Sequence, residues 1–319
     1  MAALAPTPKS ELDFCVDAIR AEGVRVDGRA MHEYRRLGIR FGAAYGEVEV
    51  NFGATRAMAV CSGEVVPPAP ERPNEGKIVF HVEFGPMASP SFEAGRPSAH
   101  ATSVANSIER LLRGSHAVDT EALCIMGGKK VWSIRVDIRA LDDDGNLRDV
   151  CAVAALCSLM HFRKADVEVK GEQAKVFSEE ERVPVPLSIH HLPIPVTFAF
   201  FPPAASTAGG KVDAEPISVA DPTRLEEESA AGGVLTIAVN QHGELCSALK
   251  PGGMPIDFAV LAGCKEVATL RCREVASRVQ VDLDADLAKR KEARRNVYKR
   301  FDESQLLSVD LSKRARTSE

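Results

Sequence analysis

Alternation of apolar and polar residues marks the first strands along the chain. Over residues 36–62 apolar side chains recur at every second position, as in the letters EVEVNF, and residues 42–46 supply a glycine-bounded turn. This pattern predicts an antiparallel hairpin with one solvated face. The same alternation predicts a strand over residues 77–84 and another over residues 130–141.

The hydrophobic period becomes helical in three places. Residues 99–114 place apolar side chains at helical spacing and arginines at other angles. The run VCAVAALCSLMHF is apolar nearly all round, so it predicts a helix buried between layers, with Asp149 as its N-cap. A third helix is expected over about residues 256–279.

The second half of the chain repeats the order of the first. LPIPVTFAFF and GVLTIAVN read as strands, residues 240–243 as a hairpin turn, and the third helix follows. Strands first and helix afterwards, twice, predict an α+β fold with mixed sheets and central helices rather than a doubly wound parallel sheet.

This pattern predicts one main domain with two extensions. We expect an N-terminal arm over residues 1–14, a domain over 15–281 and a basic C-terminal extension over 282–319. The domain would consist of halves at about 15–165 and 166–281. In the extension, a charged helix precedes the tail LSKRARTSE, which reads as disordered, and the low-complexity segment 202–210 reads as a surface loop.

Composition restricts the class of partner. The net charge is -5, yet residues 288–319 carry ten Lys/Arg against five Asp/Glu, which leaves about -10 for the rest. An acidic body cannot hold nucleic acid by bulk attraction, so phosphate contacts need a local basic cluster.

The eight cysteines form no CxxC pair and mostly lie in apolar stretches, which favours buried reduced thiols. No apolar run approaches the length of a membrane span, and the N-terminus lacks the pattern of a signal peptide, so we expect a soluble intracellular protein.

Short motifs give little support for a catalytic or metal site. MGGKKV and AGGKV lack the spacing of a phosphate-binding loop and read as turns. His190 and His191 are neighbours in an extended segment and point to opposite faces, so they could not chelate one metal. The acidic run at residues 226–228 reads as a solvated loop rather than an ion site. We therefore predict no metal and no cofactor.

An arginine cluster is the more informative feature. Arg96 lies in a Gly/Pro turn, and Arg110 and Arg113 follow on the helix of residues 99–114. Three positions apart, Arg110 and Arg113 can present two guanidinium groups to phosphate. An ordinary solvated helix face remains the alternative.

Several longer segments resemble one family. The segments are VDGRAMHEYR, FGAAYGEVEVNFGATRAMA, RPNEGKIVFHVEFGPMASPSFEAGRPS, DTEALCIMGGKKVWSIRVDIRALDDDGN and VPVPLSIHHLPIPVTFAFF. Over about residues 15–279 the chain is similar to the RNase PH-like subunits of the RNA exosome ring. The resemblance implies the RNase PH fold, of the ribosomal protein S5 domain 2-like type, and a place in a six-membered ring. It also implies S1/KH-type cap subunits, associated exosome nucleases and single-stranded RNA as partners. The nucleus, nucleolus and cytoplasm are the expected locations, and LSKRAR is a candidate nuclear-localisation segment.

The same resemblance bears on catalysis. Active members degrade RNA by phosphorolysis, which needs arginines that hold phosphate and carboxylates near the reacting centre. The resemblance places the first arginine position near His100 here, the first carboxylate near Glu228, and the second at Gly233 or Val234. We therefore expect a non-catalytic subunit. Arg148 matches a phosphate arginine of active members, so an active phosphorolytic exoribonuclease remains the alternative, with Arg148 and Glu228 as a possible vestigial phosphate site.

The inactive partners in archaeal rings contribute helix residues to the RNA path. These residues are arginines, at positions that match Asn106 and Arg110, and only Arg110 keeps the positive charge. The predicted RNA-binding residues, in order of preference, are Arg110, Arg96, Arg113, Arg72 and Lys77. The low aromatic content, 5%, predicts salt-sensitive and sequence-tolerant binding. A scaffold without RNA contact is a third possibility.

Overall fold

The computed structural model describes residues 7–93, 95, 98–170, 173–178, 181–202 and 216–316, with the side chains of the last helix described through residue 295. The chain divides into two units, Met1–Ala276 and Ser277–Glu319. The first unit contains both large sheets. Its described part begins with helix α1 (Lys9–Asp17) and a π-helical turn (Ala18–Glu22).

Six strands form the first sheet. They are β1 (Leu37–Phe41), β2 (Glu47–Phe52), β3 (Thr55–Val66), β4 (Lys77–Phe84), β5 (Cys124–Met126) and β6 (Lys130–Asp142). The order is β1-β2-β3-β6-β4, with β5 also paired to β6. Strand β4 runs parallel to β6, and the other pairs are antiparallel.

The hairpin predicted over residues 36–62 is correct but incomplete. Strand β2 pairs with β1 and also, through a two-residue turn, with β3. Gly53 sits in this turn with a φ of +56°, a left-handed conformation that glycine adopts at little cost. The segment is therefore a three-stranded meander.

Two helices pack on the first sheet. Helix α2 (Ala99–Gly114) has the predicted bounds and packs against β4. Helix α3 (Leu147–His161) contacts β2, β3 and β6 and also the second sheet, and nearly all of its residues are buried. The expectation of an apolar helix between two layers is confirmed.

The prediction that Asp149 caps α3 is wrong. Asn146 occupies the N-cap, with a φ of +57°, and Asp149 lies inside the first turn. The Asp149 carboxylate accepts hydrogen bonds from the backbone N–H and the hydroxyl of Thr197, both at 2.7 Å. It thus bonds to the second sheet instead of to its own helix.

Short strands connect the two sheets. β7 (Arg163–Lys164) pairs with β10 (Val185–Pro186), and β8 (Val167–Lys170) pairs with β9 (Gln173–Val176). A 3-10 turn (Glu121–Leu123) precedes β5. The sequence pattern did not predict these pieces, since each is too short to show a hydrophobic period.

Four antiparallel strands form the second sheet, in the order β12-β11-β13-β14. They are β11 (Ile194–Phe201), β12 (Ile217–Ala220), β13 (Val234–Val239) and β14 (Leu245–Leu249). Strand β11 is buried on both faces. Phe198 and Phe200 pack against the first turns of the C-terminal helix, whereas Phe201 packs against α1. The α+β prediction is confirmed.

The last two helices differ from expectation. Helix α4 (Arg224–Ser229) covers the acidic run, so the solvated-loop interpretation of residues 226–228 is wrong. Helix α5 runs without interruption from Phe258 to Arg316, so the disordered tail predicted from residue 311 is wrong as far as Arg316. The sequence after Gly263 contains neither glycine nor proline to end the helix.

The second unit consists of the C-terminal part of α5. Ion pairs between residues four apart support this charged helix, including Arg278 with Asp282 at 2.7 Å. The segment 202–210 lies outside the described residues beyond Pro202. The division into an arm, two halves and an extension stays a prediction.

Candidate nucleic-acid interface

Helix α2 presents the predicted arginines. Ser98 caps its N-terminus by accepting a hydrogen bond from the Ala101 N–H at 3.0 Å. The apolar face is buried, including Ile108 and Leu111. Burial of that face fixes the helix rotation, so Arg110 and Arg113 are held on the exposed side.

A cleft of about 590 Å³ lies between α2 and β4, and we call it the α2–β4 cleft. Its floor includes Ile78 and Phe80, which are half-buried on β4. Its polar wall and rim are formed by Arg72, Glu75, Asn106, Glu109, Arg110, Arg113, His116, Thr120 and Glu121.

Three of the predicted RNA-binding residues, Arg72, Arg110 and Arg113, meet in this cleft. Lys77 is exposed at the start of β4 but does not line it. Arg96 lies outside the described residues. The structure therefore brings together residues that are 41 positions apart in the sequence (from 72 to 113).

The three arginines differ in their partners. Arg113 pairs with Glu109 at 3.0 Å, and Arg72 pairs with Glu75 at 2.9 Å. Arg110 is exposed and forms no ion pair within the described part of the chain. It also lines a second, shallower groove on the other side of α2, together with Asn106. Arg110 is thus the arginine best placed to accept a new phosphate partner.

The α2–β4 cleft has no net formal charge. Its three arginines are matched by three glutamates, Glu75, Glu109 and Glu121. Attraction of an RNA backbone would therefore depend on single guanidinium groups rather than on a broad positive potential.

Arg148 and Glu228 do not form a common site. Arg148 is half-buried in the first turn of α3 and donates to the Thr236 hydroxyl at 3.3 Å. Glu228 lies on the exposed side of α4, where it accepts hydrogen bonds from Thr7 and from Arg224. These bonds, that from Thr7 first, lower the pKa of Glu228. No hydrogen bond or ion pair joins Arg148 to Glu228 among the residues described.

His100 stands near Arg148, where the resemblance places an arginine in active relatives. Partial desolvation of the ring lowers its pKa, although the residue is exposed, and the charge of Arg148 lowers the pKa further against a smaller opposing effect of Asp143. The lowered pKa disfavours the protonated imidazole, so His100 is a poor substitute for an arginine that holds phosphate.

Gly233, one of the two positions that the resemblance matches to the second carboxylate, has no space for a side chain on this backbone. Its φ is +84°, and a Cβ there would lie 2.8 Å from the carbonyl oxygen of Gly252 and 2.9 Å from the Cα of Gly253. Both neighbours are backbone, so neither can move aside cheaply. Val234 begins β13 and pairs with Ala199. Neither position supplies an acid or a base.

Sequence reasoning missed a buried ionic cluster beside α4. Arg25 donates to both carboxylate oxygens of Glu226, at 2.8 and 2.6 Å, and both side chains are almost fully buried. The Arg35 guanidinium likewise donates to both carboxylate oxygens of Asp221, from Nε at 3.0 Å and from Nη2 at 2.8 Å. The capping box of Thr223 and Glu226 is a sequence signal that could have placed a helix here.

Two carboxyl groups near this cluster are strongly affected by burial. Burial raises the pKa of Asp149 to about 6 and that of Glu227 to about 7. Hydrogen bonds from Thr197 and from the Asn146 backbone, respectively, oppose these rises. These groups support the junction between the two sheets and lie apart from the α2–β4 cleft, whose lining they do not join.

The remaining sequence motifs have ordinary roles. MGGKKV forms the turn between β5 and β6 as expected, whereas AGGKV lies outside the described residues. His191 bonds through Nε2 to the Ser115 carbonyl at 2.8 Å, and His190 Nε2 lies 3.9 Å from the Asp119 carboxylate. All eight cysteines are free, and six are buried.

The described residues offer no candidate for two other kinds of site. In the residues that the structure describes, no group of three His, Cys, Asp or Glu side chains could hold a metal ion. Within the same residues, no helix is long and apolar enough to cross a bilayer.

Comparison with known proteins identifies the family. Residues 33–165 match domain 1, and residues 202–269 match domain 2, of the RNase PH models described as the 3' exoribonuclease family. The chain belongs to this family. The resemblance drawn from the sequence segments is thereby confirmed.

Three curated relatives are named as RRP45-type components of the exosome complex. The Exosome complex component RRP45 of Danio rerio is 40% identical over 287 residues, which cover 90% of this chain and 70% of the relative. The corresponding component of Schizosaccharomyces pombe is 39% identical, over 89% of this chain and 93% of the relative. RRP45A of Arabidopsis thaliana is 42% identical, over 82% of each chain.

Solved structures agree with the fold. A chain of the Archaeoglobus fulgidus exosome with RNA bound to the active site is 28% identical, with a TM-score of 0.70, over 85% of this chain and 98% of that one. A chain of an archaeal exosome core is 26% identical, with a TM-score of 0.66, over 85% and 97%. The predicted RNase PH fold is confirmed.

Proposed function

We propose that this RNase PH-family chain is a non-catalytic subunit of the RNA exosome core ring that contacts single-stranded RNA. In that position it would support 3'-to-5' RNA processing and degradation. The names of its relatives and its likeness to archaeal exosome chains support the ring assignment. The observation that carries the non-catalytic part is the residue type at the position matched to the second carboxylate: Gly233 or Val234 stands there, and neither can act as an acid or a base.

The surroundings of the other expected catalytic groups also support an inactive subunit. Glu228 is held by Arg224 and Thr7 on the exposed side of α4. His100 stands where an arginine is expected, and only Arg148 is retained. A phosphate would therefore meet one guanidinium group without a carboxylate partner, which is insufficient for general acid or base chemistry.

A phosphorolysis assay tests this part of the proposal. The ring is assembled with its neighbours and given 3'-labelled single-stranded RNA and inorganic phosphate, with wild-type chain, Arg148→Gln or Glu228→Gln. We expect any release of nucleoside diphosphates to be the same for all three chains, because the activity would come from other subunits. Release that disappears only on changing Arg148 or Glu228 would establish the alternative, an active phosphorolytic exoribonuclease.

The α2–β4 cleft supports the RNA-contact part of the proposal. Arg110 is exposed, has no ion pair among the described residues and lines grooves on both sides of α2. A strand that follows α2 could therefore place a phosphate against this guanidinium group. The floor residue Phe80 offers limited apolar surface to a base.

Charge reversal tests the RNA contact. We expect Arg110→Glu to weaken ultraviolet crosslinking of RNA to this chain in the assembled ring, with assembly unchanged. Arg40→Glu is the matched control, because Arg40 is a highly exposed arginine on β1 outside the cleft. Unchanged crosslinking in Arg110→Glu would favour a scaffold without RNA contact.

The same proposal includes the protein partners of the chain and its locations in the cell. The partners would be the other RNase PH-like ring subunits, S1/KH-type cap subunits and associated exosome nucleases. The proposed locations are the nucleus, nucleolus and cytoplasm. Fractionation of cells that express the tagged chain, followed by its affinity purification, tests both statements.

A further inference from the structure

The α2–β4 cleft pairs two of its arginines with glutamates. Arg113 Nη1 lies 3.0 Å from Glu109 Oε1, one helical turn away, and Arg72 Nη1 lies 2.9 Å from Glu75 Oε2. All four side chains are at least one-third exposed. A phosphate that approaches either arginine must therefore compete with a carboxylate that is already in place.

We infer that Glu75 and Glu109 act as attenuators of RNA binding, because they occupy Arg72 and Arg113 and leave Arg110 as the main phosphate contact of the cleft. This inference rests on the proposed RNA contact and specifies its strength. A strand that this cleft holds at a single phosphate is released readily. Weak contact suits a surface along which RNA passes, since each tight contact would slow its movement.

The strength of an exposed ion pair sets how much each glutamate can weaken the binding of a phosphate to its arginine. Exposed ion pairs shift an equilibrium by about two- to five-fold, so freeing one arginine should tighten RNA binding by about that factor. A newly formed phosphate contact also releases a counterion. The slope of log K against log salt should then become steeper by roughly 0.7 for each arginine that is freed.

Loss of negative charge alone must be separated from release of an arginine. Glu121 provides the matched control: it lines the same cleft but has no ion pair among the described residues. Glu121→Gln removes the same charge as Glu109→Gln without freeing a guanidinium group. Glutamine is a good helix former, so Glu109→Gln preserves α2.

The test is a titration of fluorescent oligouridine against the full chain, assembled with its ring neighbours, at several salt concentrations. We expect Glu109→Gln and Glu75→Gln each to bind about two- to five-fold more tightly and with a steeper salt slope. Glu121→Gln should produce a smaller gain with an unchanged slope. In Glu109→Gln combined with Arg113→Gln, the steeper slope should disappear.

Two results would overturn the inference. One is an equal gain in Glu121→Gln and Glu109→Gln with equal slopes, which would mean that only net charge matters. The other is an unchanged affinity in Glu109→Gln and Glu75→Gln, while Arg110→Ala still weakens binding. If Arg110→Ala has no effect either, the proposed RNA contact at this cleft fails, and the two failures are thus distinguishable. Native mass spectrometry confirms that each variant assembles.

Discussion

Asp221→Asn is expected to destabilise the fold severely. The Asp221 carboxylate is fully buried and accepts five hydrogen bonds, three of them from Arg35. The other two come from Arg29 at 3.0 Å and Asn146 at 2.7 Å. The substitution replaces one acceptor oxygen with an N–H donor that faces these donors, and it removes the nearer and buried one of the two carboxylates that face Arg35.

Removing one partner of a buried ion pair costs about 3–5 kcal/mol, because the other charge stays desolvated. Arg35 keeps hydrogen bonds to Thr55, to the carbonyl oxygens of Asp144 and Gly145, and a longer contact to the Asp144 carboxylate. These remaining partners place the expected loss near the lower end, at about 3 kcal/mol. Natural domains are stable by only about 5–15 kcal/mol, so the effect is large.

Urea unfolding followed by circular dichroism measures this loss. The control is Asp142→Asn, which breaks an exposed pair with Arg56 and should cost no more than about 1 kcal/mol. Equal losses of stability in Asp221→Asn and Asp142→Asn would refute the claim that the buried Asp221 carboxylate stabilises the fold through its ion pairs and hydrogen bonds. Burial alone would raise the pKa of Asp221, but the hydrogen bonds and charge of Arg35 lower it below 3.8. The advantage of Asp221 over asparagine is therefore full at neutral pH and is lost as the pH falls below about 4.

Three further predictions concern stability. Gly233→Ala should cost at least about 2 kcal/mol in the free energy of unfolding, because the left-handed backbone disfavours alanine and its Cβ meets the backbone of the segment 252–253; an unchanged urea midpoint would contradict this. Burial raises the pKa of Glu227 from 4.5 to about 7, so its pH dependence is opposite in sign to that of Asp221. The stability that protonated Glu227 gives is full below about pH 4.5 and is lost, by roughly 3 kcal/mol, as the pH rises through 7. Glu227→Gln should remove this dependence of the free energy of unfolding on pH. Parallel pH profiles of wild type and Glu227→Gln would exclude this cause. Thr223→Ala should lose the capping box of α4 at a cost of about 1 kcal/mol, while Thr223→Ser should retain it.

Elements with a strong hydrophobic period were predictable from the sequence. Strand β4 and helix α2 have the predicted bounds, because each buries one regular face. The short strands β7 to β10 and the parallel pairing of β4 with β6 were not predicted. Pairing direction depends on contacts between distant segments, which no local pattern records.

The candidate site was predictable in part. Spacing on α2 brought Arg110 and Arg113 to one face, and the structure adds Arg72 from a distant loop. The glutamate partners of Arg72 and Arg113 were missed, although Glu109 and Arg113 are four positions apart on a helix. Asp149 was misassigned as a cap because its true partner, Thr197, lies 48 positions away.

Crosslinking mass spectrometry of the assembled ring tests the central claim most directly. The full chain is combined with its ring neighbours and single-stranded RNA, irradiated and digested, and the peptides that carry a nucleotide are identified. We predict a native mass that includes this chain in a hexameric core, and nucleotide attachment to peptides of α2 and β4 around Arg110. A chain that stays outside the complex, or that crosslinks only at regions away from the α2–β4 cleft, would contradict the account.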